Sequence, residues 1–483
     1  MAALNCVWDI FEKYGYSRLS ADKRVEIYNN CNEIGSLFYR QKSNEDIDLV
    51  IAGSRGEGIG LHFDCDIDRL FIQRSAMGFH SYPVTSDRKR FDAEFELDFD
   101  HAPSGYCRLR LMSIQEKIDP DSRNASFLQN IENSLNEQNG HKYLRNDRML
   151  TSAMSHLKQE GWLERSFVYD VAKGPAQPYE CKLPYTKFSL NFDDVLALQC
   201  SYPSIVNEWC DRRRHHGWPS SDVIEEVRRL DVLAVPVGET EDDVMQWRIS
   251  LVLGELALVR SFNDTQLKVY GALKMLAKAV LKKSSENLSS YVMKNVIFWI
   301  SESTDIHNFE RNQFLHRVID GLKYLCKCVY DRNLPNYMIP GRNLLIHKIS
   351  ENERVKVLQD LDNFLSDGES VLLQCSEIKH LLGQDAQIRS RMIDKNENAE
   401  QAIISLFSLP PLKGLEMMLQ LFIIKTGEDL INFYRKNIFP IIRETNPFEF
   451  FDDFSSKTDE EILEFVERPE STLTSSTEEN VSK

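Results

Sequence analysis

Three aspartates spaced two apart, Asp64, Asp66 and Asp68 in D-C-D-I-D, are the residues of this chain best suited to chemistry. On a strand the period of two puts their carboxylates on one face and Cys65 and Ile67 on the other. Such a row of like charges is unfavourable alone and invites a divalent cation, and Mg2+ is the hard ion that carboxylates and substrate phosphates hold together. Just upstream runs G-S-R-G-E-G-I-G, from Gly53 to Gly60. Its glycines allow a tight loop whose backbone N–H groups can face a phosphate, with Ser54 adding a hydroxyl donor. A calcium loop starting at Asp64 fits poorly, because its sixth position is Arg69 where glycine is needed and its twelfth is Ser75 where glutamate is needed. A merely solvated acidic turn would not run straight into Leu70-Phe71-Ile72. Strand, loop and acidic strand together suit phosphoryl or nucleotidyl transfer.

Other elements must hold these residues in place. Ile47, Leu49, Val50 and Ile51 make a short strand that stops at Gly53-Ser54. A helix is expected over 20–43, with Ser20 as N-cap, feeding into that strand. Residues 73–119 read as further short strands, and 120–150 as a helix with an exposed loop. A strand over Phe188–Leu198 carries Asp193 and Asp194, one of which can be the third acid a two-metal centre takes from a neighbouring strand. From Pro203 to Leu365 the spacing predicts helices over Val244–Arg260, Gln266–Lys282, Ser289–Glu302 and Ile306–Tyr330, broken by a turn at Leu334–Pro340. Helices are expected again over 351–384 and 398–438, before an acidic, Ser/Thr-rich, disordered tail over 451–483.

With 483 residues, 42% hydrophobic and 27% charged, the chain is long enough for two or three domains with a sizeable core. The first residues lack a basic segment, and no apolar run approaches about 18 residues, so a cytoplasmic protein without a membrane span is expected. The ten scattered cysteines suit reduced thiols and show no zinc-site spacing. Net charge is -16, but ten acids and three bases at 451–483 account for -7 of it, leaving -9 on the other 450 residues. Clustering therefore matters more than the sum. Basic groups stand at Arg18, Lys23 and Arg24, at Arg145 and Arg148, at Arg212-Arg213-Arg214 with His215 and His216, and at Lys282-Lys283. Groups of this size are common on ordinary solvated helix faces.

A series of motifs occurs in order: G-S-R-G-E-G, C-D-I-D-R-L-F-I, G-P-A at 174–176, D-D-V-L-A-L-Q-C, R-R-R-H-H-G-W-P-S, W-R-I-S at 247–250, A-L-K-M-L at 272–276, L-S-S-Y-V-M-K at 288–294 and L-P-N-Y-M-I-P at 334–340. Over residues 20–440 the set resembles the male-abnormal (Mab) nucleotidyltransferase family, specifically its cyclic GMP-AMP synthase-like receptors. The resemblance implies an α+β, two-lobed enzyme: a nucleotidyltransferase core with a mixed sheet and a long spine helix over 1–205, and an α-helical lobe over 206–450. It implies that two Mg2+ or Mn2+ ions join two NTPs, ATP and GTP foremost, into a cyclic dinucleotide. A nucleic-acid ligand, double-stranded RNA foremost, would trigger this in innate immune signalling.

By the same resemblance Asp66 and Asp68 bridge both metals and leave Asp64 as an outlier, while Asp193, aligned on the following L-A-L, is favoured over Asp194 as third ligand. Ser54 and Lys274 would hold a triphosphate, Tyr291 beside Ser290 would stack on a base, and Arg248 would reach the second nucleotide. Taken without the family, each of these has an ordinary reading too: a cap, a solvated lysine, core packing, a structural salt bridge. No zinc is expected, because Glu255–Leu273 runs without a cysteine where the vertebrate enzyme carries its zinc insertion. Lys23, Arg24 and the lysines at 278–283 would form the RNA face. The alternatives are a catalytically silent Mab-family binding or developmental protein and, last, an RNA-tailing enzyme on the same core.

Overall fold

The computed structural model describes residues 2–61, 66–82, 91–100, 102–115, 119–153, 167–169, 176–182 and 189–384, with Gln387 and Arg391. Asp64, Gly174-Pro175, the helices expected over 398–438 and the tail over 451–483 lie outside these residues.

Eleven strands form one mixed sheet among the described residues: β1 (Ile47–Ile51), β2 (Asp66–Phe79), β3 (Ala93–Asp98), β4 (Tyr106–Ile114), β5 (Leu135–Gln138), β6 (His141–Leu144), β7 (Phe167–Tyr169), β8 (Ala176–Lys182), β9 (Ser189–Ser201), β10 (Val232–Val235) and β11 (Gln246–Ser250). The two longest, β2 and β9, run parallel side by side from Asp66↔Asn191 to Phe79↔Ser201. Their front halves take β1 and β8 as outer neighbours. A register shift between Gln73 and Met77 then turns β2 away from β1 and onto β3. The rear halves close a ring, since β3 pairs β4, β4 pairs β11, β11 pairs β10 and β10 returns to β9. The acidic residues sit on the open front half, and the closed rear half makes a dry, rigid mount for them: Ala76, Phe95, Leu109 and Trp247 are buried there. Trp247 is fully buried, and its indole N–H donates to the Leu144 carbonyl at 2.9 Å.

The helix Arg18–Ser43 packs along β1. Its N-cap is Ser17, not the expected Ser20, and the Ser17 hydroxyl accepts from the Ser20 N–H. The expected helix Val244–Arg260 divides: Gln246–Ser250 is β11, and the helix covers only Val252–Arg260. Trp247 and Ile249 alternate with Arg248, so the local period is two, and the apolar run after Leu251 masked it. With β10 and β11 the sheet extends past the boundary expected at residue 205. Beyond it lie helices Asp264–Leu276, Ser290–Ser303, Phe314–Tyr330, Glu351–Asp367 and Ser376–Gly383, with a π-helical turn over Ala277–Leu281. The expected Ile306–Tyr330 helix begins only at Phe314, after two short 3-10 turns. Trp218, Phe262, Phe298 and Tyr337 meet at 5.1–5.9 Å in the middle of this helical part. Sheet and helices share one continuous apolar core. Among the described residues no helix is long and apolar enough to cross a membrane.

Several of the basic residues are structural. Arg24 is buried, and its guanidinium donates to the carbonyls of Gly58, at 2.7 Å, and Gly15. Arg212 and Arg214 both pair with Glu302, and Arg145 pairs with Asp147. Arg24 thus drops out of the expected RNA face, while Lys23, Lys278, Lys282 and Lys283 are exposed. Arg24→Ala strands two buried carbonyls and is expected to cost about 2–3 kcal/mol of stability. Urea denaturation measures this, and a loss under about 0.5 kcal/mol, the level of an ordinary surface substitution, would contradict the structural role.

Candidate active site

The Gly-Ser stretch folds as a short helix, Gly53–Gly56, rather than as an open loop. The N–H groups of Gly56, Glu57, Gly58, Ile59 and Gly60 are all spent on carbonyls from Ala52 to Arg55. The glycines at 56, 58 and 60 therefore offer no amides to a phosphate, contrary to the expectation from their spacing. Gly53 is required on two grounds: its φ is +55°, and a Cβ there would lie 1.8 Å from Asp68 Oδ2. Arg260 donates twice to the Gly56 carbonyl, at 2.8 and 3.0 Å, and Arg55 donates to the Tyr28 hydroxyl at 2.7 Å. Together with Arg24 on Gly58 these bonds pin the turn from three sides.

The β2–β9 register sets Asp68 opposite Asp193 and Asp66 opposite Asn191, whose amide donates to Asp66 at 3.1 Å. Burial, with Asp193 and Glu57 close by, raises the Asp68 carboxyl to about 6 from an ordinary 3.8. Asp193 is raised too, by burial and by Asp66 and Asp194. Asp194, one residue on, points elsewhere. It is buried in a two-pronged ion pair with Arg69, at 2.7 and 2.8 Å, and Arg69 lies 4.5 Å from the Phe192 ring centroid. Of the two candidates for the third acid, only Asp193 thus shares a strand face with Asp66 and Asp68. Three mutually repelling hard-oxygen donors suit a divalent cation. Their side chains are not drawn together as a ligand set, however: among the described residues no three His, Cys, Asp or Glu side chains stand in metal-holding arrangement.

Ser54 and Lys274, 220 residues apart, meet directly: Lys274 Nζ donates to Ser54 Oγ at 2.6 Å. Tyr291 is half-buried at the start of helix Ser290–Ser303, next to the exposed Ser290. Its hydroxyl donates to Glu255 at 2.8 Å and accepts from Asn336 at 2.8 Å. Arg248 stands on β11 opposite Tyr106, and burial together with the neighbouring Arg342 lowers its pKa. A separate pocket of about 330 Å3 between Phe99, Tyr106, Tyr202, Ile249, Met338 and Gly341 contains none of the expected site residues.

Sequence reasoning missed what ties these groups together. Lys294 is buried between Glu57, at 2.9 Å, and Glu255, at 2.7 Å. Burial works against its charge, but the two carboxylates outweigh it and raise the lysine pKa well above its usual value. Tyr270 donates to Glu57 at 3.2 Å. One lysine so links the Ser54 turn to the helix that carries Tyr291. The signal was present: Glu57 follows Ser54, and Lys294 follows Tyr291, by three residues, which puts each pair on one helical face.

Two comparisons bear on this geometry. Residues 265–363, which include Lys274, Ser290, Tyr291 and Lys294, match the Mab-21 protein HhH/H2TH-like domain. The chain is also 23% identical over 297 residues to a cyclic GMP-AMP synthase-like receptor of Magallana gigas, a match covering 57% of this chain and 46% of that protein. It thus spans less than half the length of that relative. The mixed sheet and helical part are compatible with the fold of a Mab-21 nucleotidyltransferase. The chain is thus similar to Mab-21 proteins over this domain and to a cyclic GMP-AMP synthase-like receptor over a longer stretch.

Lys294→Met leaves two buried carboxylates uncompensated and is expected to cost about 3–5 kcal/mol in chemical denaturation. Adding Glu57→Gln and Glu255→Gln is expected to restore most of it. Equal instability of the single and triple variants would show that packing, not charge, sets the cost. Asp68 carries the opposite sign to a salt-bridged acid. Its raised carboxyl contributes stability fully below pH 3.8, and this contribution fades as pH rises through about 6.

Proposed function

We propose that this chain is a metal-dependent nucleotidyltransferase that joins two NTPs, ATP and GTP foremost, into a cyclic dinucleotide when double-stranded RNA binds, as a cytoplasmic sensor in innate immunity. The observation that supports this most is the convergence of the Asp68↔Asp193 register with the Lys274–Ser54 contact. In this reading the carboxylates that would hold metal and the pair that would grip a triphosphate both lie next to the turn at Gly53.

In this reading Asp66, Asp68 and Asp193 hold two Mg2+ or Mn2+ ions. The ions supply a lowered pKa for the attacking ribose hydroxyl and neutralise charge on the phosphates. Ser54 and Lys274 hold the donor triphosphate, so that the ribose oxygen bonds to the α-phosphorus as the α–β bridge breaks and pyrophosphate leaves. Tyr291, fixed at its hydroxyl by Glu255 and Asn336, presents its ring to a base. Arg248 faces the second nucleotide. The division into a nucleotidyltransferase core and a helical lobe is part of the same proposal. Lys278, Lys282 and Lys283, on and just after the π-helical turn, with Lys23, form an exposed basic surface suited to the phosphates of A-form RNA.

Incubation with labelled NTPs, Mg2+ or Mn2+, and double-stranded RNA or DNA tests the reading. A nuclease-resistant dinucleotide formed with RNA, and lost in Asp66→Asn/Asp68→Asn, is the expected result. No product and no metal-dependent NTP binding under any ligand would instead favour the silent binding protein. A divalent ion must compete with the proton on Asp68, so Mn2+ affinity is expected to weaken as pH falls from 7 through 6. Affinity unchanged over that range, measured by titration calorimetry, would remove Asp68 from the ligand set.

A further inference from the structure

Arg342 was singled out by no motif, yet it stands close to Arg248. It closes the turn after L-P-N-Y-M-I-P: its N–H donates to the Ile339 carbonyl at 2.9 Å, and its own carbonyl accepts from the Asn336 N–H at 2.8 Å. Asn336 in turn holds the Tyr291 hydroxyl. The Arg342 stem lies on Gly105, where a Cβ would come within 3.0 Å of its Cδ and where φ is +83°. Its guanidinium stands 5.7 Å from the ring centroid of Tyr106, the residue that pairs in register with Arg248. Two strands, one turn and one missing side chain thus bring two arginines to the same tyrosine.

Neither the Arg248 nor the Arg342 guanidinium has a hydrogen-bonding or ion-pairing partner among the described residues. Glu255 is already engaged, with one oxygen accepting from Tyr291 and the other pairing with Lys294, and it is within electrostatic reach of both arginines without a hydrogen bond to either. Nor are the nitrogens of the two arginines sealed away from solvent, as those of Arg108, Arg110 and Arg212 are in part. Burial first, and then the charge of Arg342, hold the pKa of Arg248 down, so the two arginines repel each other as they stand. Two half-buried, unpaired forks side by side are relieved by a ligand with several negative oxygens, and the planar guanidinium matches phosphate in two-pronged fashion. A neutral base edge would leave the repulsion in place.

We propose that Arg248 and Arg342 together form a seat for a phosphate group of the second nucleotide. This rests on the nucleotide-binding reading of the cleft and adds Arg342 to it as a binding residue. The Ser54–Lys274 grip and the arginine seat then hold the phosphates of different nucleotides, and Tyr291 stands between the two by its bonds to Glu255 and Asn336.

The test uses inorganic tripolyphosphate, titrated calorimetrically into the full chain in a Lys274→Gln background, which silences the first grip. Arg342→Gln is expected to weaken binding about tenfold or more, the loss of a charge-assisted contact, and Arg342→Lys to weaken it less. Adenosine and guanosine are expected to bind both backgrounds alike. Tripolyphosphate affinity unchanged in Arg342→Gln overturns the proposal. If the glutamine variant does not fold, Arg342→Lys decides, because affinity equal to that of arginine overturns it as well. ATP and GTP titrated with Mn2+ into the unsubstituted chain separate the two levels. Binding there with no effect at Arg342 removes this inference alone, whereas no binding removes the nucleotide site and the inference with it.

Discussion

The parallel pairing of β2 with β9 is the constraint on which the rest depends. It is the longest strand pairing among the described residues, and its register alone decides which acids face each other. A slip of one residue would bring Asp194 opposite Asp68 and turn every side chain of β9 to the other face. The closed rear ring and the Arg69–Asp194 pair resist that slip: the first by hydrogen bonding both strands to fixed neighbours, the second by tying adjacent residues on the two strands with a buried two-pronged bond. Asp194 is therefore a register pin, and Asp193, its neighbour on the same strand, is held on the open face opposite Asp68 as a result.

Around that pair the fold works by tethering carbonyls and charges rather than by burying more apolar surface. Arg24 and Arg260, from distant parts of the chain, fasten the short turn that carries Ser54, and Arg55 of the turn itself reaches out to the Tyr28 hydroxyl. Lys294 joins that turn to the helix of Tyr291 through two glutamates. Buried charge of this kind contributes little net stability but fixes a unique arrangement when every partner is satisfied. In the proposed reaction, a rigid turn and a tyrosine held at set positions would keep two nucleotides aligned for transfer.

Much of this was legible in the sequence. The spacing of Asp66 and Asp68 told the strand and the shared face, because a period of two has one structural reading. Long helices such as Asp264–Leu276 and Ser290–Ser303 were close to their expected bounds, because apolar spacing of three and four repeated over several turns. The failures have physical causes. β11 was read as helix because its five residues precede a helical apolar run without a break. Arg24 was read as surface because charge alone does not reveal that two carbonyls wait for it. The glycines at 56, 58 and 60 were read as phosphate donors, but a helical turn consumes their N–H groups. Arg342 had no local signal at all, since its place beside Arg248 is created by the loss of a side chain at Gly105, far away in sequence.

The most direct measurement compares Asp193→Asn with Asp194→Asn. Each variant would be titrated with Mn2+ in the presence of ATP, and its stability followed by urea denaturation. The proposed centre predicts that Asp193→Asn keeps its stability and loses Mn2+ binding, while Asp194→Asn, by breaking a buried pair with Arg69, loses stability but retains Mn2+ binding in its folded fraction. Retained Mn2+ binding in Asp193→Asn, with loss confined to Asp194→Asn, would contradict the assignment and place the third acid on the other face of β9.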